Sequence, residues 1–196
     1  MEFSQKQTIQ AVAMLLLLTV ITQAAYTALY VGAKDLPRLW LWGVEGLVFV
    51  LLAALAGSAL VQAKQFSLGF SAIFASAILN LVQVGIGLTQ FGPFREVAQS
   101  VDGLAPAAGG VVALSFFIYN AAKVLLGLAA LVFASAEIRN GSKALGVVTF
   151  ALGSIAIAAN AIVMAAGKIS GIPSGALGVV ATLFLAICVF KLRTED

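Results

Sequence analysis

Residues 107–136 read AAGGVVALSFFIYNAAKVLLGLAALVFASA, an apolar run interrupted by a single charge at Lys123. An ordinary core helix of a soluble domain shows a polar face every turn, and this stretch does not. A bilayer core of about 30 Å needs about 20 apolar residues in helical form, so the run is long enough to cross one with residues to spare. Lipid offers no partner to an unpaired backbone group, and the run lacks the period-2 alternation of a barrel strand, so a helix is the structure expected.

The same criterion extends outward to five more segments. The expected spans are 9–31, 37–62, 66–91, 107–136, 144–167 and 173–190, separated by short charged or Gly/Pro-containing breaks. Composition agrees: 62% of the 196 residues are hydrophobic and 10% charged, with a mean hydropathy of +1.08, against about 25% charged in a typical soluble domain. The expectation is an all-α, polytopic membrane protein, a single integral membrane domain over residues 1–196 built as a six-transmembrane-helix bundle. The first span, with its charged start and the small pair Ala24-Ala25, also reads as a signal peptide. With Met1 at the start of the chain, the span is expected to be retained.

Six spans put both termini on one side. Lys6, Lys64, Arg139, Lys143, Lys191 and Arg193 fall there, and Lys34, Arg38, Arg95 and Lys168 on the other. The positive-inside rule then places the termini in the cytoplasm of a cell membrane, with the bacterial inner membrane the first expectation. Trp40, Trp42, Tyr26, Tyr30, Phe91 and Phe94 gather near the outer interface, where aromatic rings prefer to sit. The net charge of +3 is spread over loop ends without a basic cluster. It orients the chain and gives no reason to expect nucleic acid as a partner.

Between the third and fourth spans, residues 92–106 repeat Phe94, Val97, Val101 and Leu104 on one helical face and Arg95, Glu96, Gln99 and Asp102 on the other. With Pro93 at a first helical position, this predicts a short interfacial helix, either a linker or a lid. The pentapeptide ALGVV occurs at 144–148 and again at 176–180, and reads as composition in so Ala/Leu/Gly/Val-rich a chain.

Because lipid rewards no polar side chain, the helical phase of each intramembrane polar residue tells which face turns inward. Ser76, Asn80, Gln83, Gly87 and Gln90 share one face; so do Phe116, Asn120, Lys123 and Gly127, and likewise Thr149, Gly153, Ala156, Asn160 and Met164. The first span offers Thr19, Gln23, Tyr26 and Tyr30, and the second Arg38, Trp42 and Glu45. Gln23, Glu45, Gln83 and Asn160 each lie about eight residues, or roughly 12 Å, from the outer end of their spans, with Asn120 and Lys123 somewhat deeper. An outward polar chamber over an apolar floor is expected.

Glu45 and Lys123 are the ionisable residues set well inside the spans. Each costs about 2.5–3.5 kcal/mol at a helix centre on insertion scales, so pairing of the two is expected, either as a structural bridge or as contacts for a ligand. The candidate ligand-binding set is Gln23, Tyr26, Trp42, Glu45, Asn80, Gln83, Tyr119, Asn120, Lys123 and Asn160. Amides, one acid, one base and aromatics suit a small polar or zwitterionic solute. Length and span count resemble the substrate-binding components of vitamin uptake systems, which are also six-helix membrane proteins. That resemblance is one of topology and implies a solute-binding role in transport.

Other chemistry is excluded by residue type. No histidine is present, which removes imidazole metal sites, haem ligation by His and the His-dependent nucleophile systems; a single Cys188 removes internal disulfides and iron–sulfur ligation. No metal and no cofactor is expected. Lys123 invites comparison with a retinal Schiff base, but it lies on the fourth of six spans, not the last of seven. Glu45 or Tyr26 lacks a second carboxylate at its depth to complete an acid–base pair, so an enzyme is not expected. The competing reading is a non-catalytic accessory subunit or chaperone of a larger membrane complex. Ala53, Ala54, Gly57 and Ser58, Ala72 and Ser76, and Ser154, Ala158, Ala161 and Ala165 form small-residue stripes suited to close helix approach or a homo-oligomer seam. The sixth span, polar only at Thr182, is expected to face lipid or a partner, with Cys188 an apolar filler or a palmitoylation site.

Overall fold

The structure, a computed structural model, describes residues 3–32, 39–101, 103–167, 171 and 173–192. Lys34, Pro37, Arg38, Asp102, Lys168 and Arg193, all used above, lie outside them. Seven α-helices and no strand occur among the described residues: α1 Gln5–Gly32, α2 Leu39–Gln62, α3 Ser67–Thr89, α4 Phe91–Ser100, α5 Ala105–Asn140, α6 Lys143–Ala166 and α7 Ser174–Phe190. A 3-10 turn, Lys64–Phe66, joins α2 to α3. Among the described residues, five helical stretches are long and apolar enough to cross a membrane: α1, α2, Lys64–Ser100, α5 and α6; α7 is apolar but shorter. Bulky apolar side chains point outward along them, among them Ile21, Leu47, Leu51, Phe117 and Ile155, as a lipid-facing surface requires.

Local chemistry sets the ends. At the start of α1, Ser4 N–H donates to Gln7 Oε1 at 3.0 Å and Gln7 N–H to Ser4 Oγ at 3.3 Å, a reciprocal capping box. In the α5–α6 turn, Ser142 Oγ accepts from Leu145 N–H at 3.4 Å, and the buried Glu137 carboxylate accepts from Ser142 N–H at 2.9 Å. Pro93 is the third residue of α4 rather than its first, because α3 hands over to α4 through the helical Gln90. Lacking an N–H, Pro93 removes a rung at this junction. Val101 is extended and Leu104 precedes α5, so neither continues α4 as the phase count suggested.

Five helices close into a ring in the order α1, α2, α3, α5, α7 and back to α1, while α6 packs against α5 and α7 from outside. The expected lipid-facing role of the last span is therefore corrected. Helix α7 packs against α1, α5 and α6 and buries Gly178, Ala181, Thr182, Leu185, Ala186, Cys188 and Val189. Small residues, rather than polar ones, mark its inward face. One end of the ring is an apolar core of Val12, Leu16, Phe49, Leu52, Phe70, Ile73, Leu126, Phe133, Leu185 and Val189. Phe133 stacks on Phe66 at 5.5 Å and meets Phe70 edge-on at 5.1 Å, above Gly69, where a β-carbon would come within 2.7 Å of its ring.

Helix α6 is held by backbone proximity. A β-carbon on Gly146 would lie 2.8 Å from Ala134 O and Ile138 N, and one on Gly153 would lie 3.1 Å from Gly127 O. By contrast Ser154, Ala158, Ala161 and Ala165 are exposed, so this stripe does not mediate packing within the chain. Gly146 and Gly153 perform the close approach expected of it.

Candidate functional site

The ring interior gathers charged and amide groups from three helices. Lys123 on α5 is fully buried and Glu45 on α2 is 4% exposed. They do not meet directly. Lys123 Nζ donates to Gln23 Oε1 at 2.6 Å. Thr22 Oγ1, next to Gln23 on α1, donates to Glu45 Oε1 at 3.0 Å. The expected Glu45–Lys123 bridge is therefore corrected: each charge has its hydrogen-bond partner on α1, Lys123 at Gln23 and Glu45 at the adjacent Thr22. Gln23 presents an acceptor to the cation and Thr22 a donor to the anion.

The stem of Lys123 is shaped by two neighbours. A β-carbon on Gly178 would fall 2.8 Å from Cδ and 2.9 Å from Cγ, so α7 touches the lysine with bare backbone. Tyr119, one turn back on α5, sets its ring 5.1 Å from Nζ, a cation–π contact, with its hydroxyl beside Gly175.

Toward one end of α1, aromatic rings stack beside this layer. Trp42 lies 5.2 Å from Tyr26 at an interplanar angle of 21°, and Phe91 meets Trp42 edge-on at 5.8 Å. The indole rests on Gly87, where any side chain would collide with it. Tyr30 continues the stack, 6.5 Å from Tyr26, and is largely exposed.

The remaining candidates divide. Asn80 on α3 is buried, donating Nδ2 to Ser76 O at 3.0 Å and to Ser76 Oγ at 3.2 Å. Half-buried Gln83 donates to Ser115 Oγ at 3.2 Å and so ties α3 to α5. Asn120 and Asn160 are both buried: Asn120 Nδ2 donates to Phe116 O within α5 at 2.6 Å, and Asn160 Nδ2 donates to Ala156 O at 2.8 Å and across to Ser174 O of α7 at 3.3 Å. The single chamber spanning five helices is thereby corrected, since α6 stands outside the ring and its polar stripe faces α5 and α7. Phe116 and Gln90 are exposed and leave their stripes, Gln90 as the residue that caps α3 beyond its last turn.

Sequence reasoning missed Thr22, Ser115 and Gly178. Thr22 had a legible signal, its adjacency to Gln23; Gly178 had none beyond membership of the second ALGVV segment. No groups of three or more metal-ligating His, Cys, Asp or Glu side chains occur among the described residues. No family model matches the chain, and no match is found among curated proteins or solved structures.

Proposed function

We propose that the protein spans a cell membrane six times and binds a small polar or zwitterionic solute at the Gln23, Glu45 and Lys123 layer, as a transport or solute-capture component. The observation that carries this reading is the pair of buried opposite charges, each hydrogen-bonded to a neutral side chain of α1, Lys123 to Gln23 and Glu45 to Thr22. A solute bearing a carboxylate and an ammonium can take over both charges, the first on Lys123 and the second on Glu45, releasing Gln23 and Thr22. Intramembrane ionisable groups that face a bundle interior mark substrate pathways more often than they serve as ties.

In this reading Trp42, Tyr26 and Phe91 form the outer closure of the ring, and Asn80 and Tyr119 line the layer. Helix α7 is the sixth span: its 17 residues reach about 26 Å at 1.5 Å per residue, and packing on three helices shields much of it from the bilayer. Helix α4 lies at the outer interface, its Arg95–Glu96 face toward water. Both termini are cytoplasmic.

Glu45→Gln and Lys123→Met test the reading. A thermal-shift screen of amino acids and related zwitterions on purified protein should yield a stabilising compound, and either substitution should weaken that compound's binding at least tenfold while the variant stays folded. Equal binding by wild type and both variants would refute the assignment. The accessory-subunit alternative rests on the short loops; a stoichiometric partner co-purifying from native membranes, with no stabilising solute, would favour it.

A further inference from the structure

Two buried asparagines, Asn120 on α5 and Asn160 on α6, each leave a side-chain oxygen without a partner. Gly127 and Gly153 fix the register, since a β-carbon on either would lie 3.1 Å from the other's carbonyl oxygen. Asn120 stands seven residues before Gly127, and Asn160 seven residues after Gly153. Seven residues make two turns to within about 20°, and α5 and α6 are antiparallel neighbours joined by a short turn. Both asparagines therefore occupy the glycines' own face, at one level, about 10 Å along the seam.

Each asparagine spends its amide nitrogen on its own helix. Asn120 Nδ2 donates to Phe116 O at 2.6 Å, and Asn160 Nδ2 to Ala156 O at 2.8 Å. This orientation leaves Oδ1 of both without a partner, on residues that are 2% and 0% exposed. Neither oxygen can donate to the other. An unsatisfied buried acceptor costs about 1–3 kcal/mol.

We infer that this seam binds one small electropositive ligand held between Asn120 Oδ1 and Asn160 Oδ1. Its chemistry is that of a monovalent cation or of a water molecule donating both protons. A divalent ion does not suit, because carboxylates are its customary ligands and both oxygens here belong to neutral amides. Further oxygen lies close by: Ser174 O already receives Asn160 Nδ2, and the Tyr119 hydroxyl sits beside Gly175. The ligand would tie the outlying α6 to the ring at the turn adjoining Lys123. This site is separate from the Gln23, Glu45 and Lys123 layer and does not depend on that layer binding a solute.

The test begins with unmodified protein in detergent, its thermal midpoint measured in sodium, potassium or N-methylglucamine chloride at constant ionic strength. A rise of about 3–5 °C in one small cation over N-methylglucamine, lost in both Asn120→Leu and Asn160→Leu, identifies a cation. Equal midpoints in all three salts, with density between the two oxygens in a high-resolution map of the wild type, identify water. In either case the two substitutions are strongly non-additive, because losing one oxygen strands the ligand and the other. Equal midpoints with a map empty between the oxygens would overturn the inference, as would single substitutions that each stabilise the protein.

Discussion

A carboxamide oxygen can accept from an ammonium, which is the task Gln23 performs for Lys123. Replacing it with an apolar side chain of similar length leaves the buried Lys123 charge short of a hydrogen bond. Gln23→Leu should lower stability by about 1.5–3 kcal/mol, the range for hydrogen bonds to charged groups, read as a lower thermal midpoint in detergent. Restoring only size, as in Gln23→Met, should not recover it; full recovery by Met would mean that packing, not the hydrogen bond to Lys123, is what Gln23 supplies. Gly178 belongs to this scale too, because the lysine stem occupies the space that any larger residue would need.

Two faces of α6 look alike in the sequence and differ in what they touch. Gly146 meets the backbone of α5 at Ala134 and Ile138, atoms that cannot move aside without moving the helix. Gly146→Ala should therefore destabilise the protein by about 1–3 kcal/mol, the usual range for overpacking. On the other side, Ala158 is exposed, and Ala158→Leu should change stability by less than about 0.5 kcal/mol. Thermal unfolding of the two variants beside wild type checks the pair. A large loss from Ala158→Leu would instead reveal a contact beyond the chain, such as the homo-oligomer seam suggested by the stripe.

For the whole molecule, the proposed six-span topology puts Ser4 and α4 on opposite sides of the membrane. With the buried Cys188 replaced by alanine to remove its thiol, single cysteines introduced as Ser4→Cys and Ser100→Cys report the arrangement, since both positions are exposed. A membrane-impermeant maleimide applied to intact cells should label the second and not the first. Labelling of Ser4→Cys alone would invert the topology, and labelling of both would break the six-span count. The ring itself explains the sealed charges: α7 returns to α1, so Lys123 meets protein on every side instead of lipid.

Apolar run length and the avoidance of unpaired backbone in lipid were enough to read the helices and their limits from the residues alone; the structure shifts most boundaries by a few residues. The same reasoning singled out Glu45, Lys123 and Gln23, because a polar group among apolar neighbours is conspicuous whatever surrounds it. Phase along one helix says which residues share a face, but not which neighbour that face meets. Only the packing order decided that α6 lies outside the ring, that Asn160 reaches α7, and that the two charges take their hydrogen bonds from α1 and not from each other. Glycine is the limiting case: Gly178 and Gly146 carry no side chain whose chemistry could announce a role, and their importance lies entirely in what another helix brings against them.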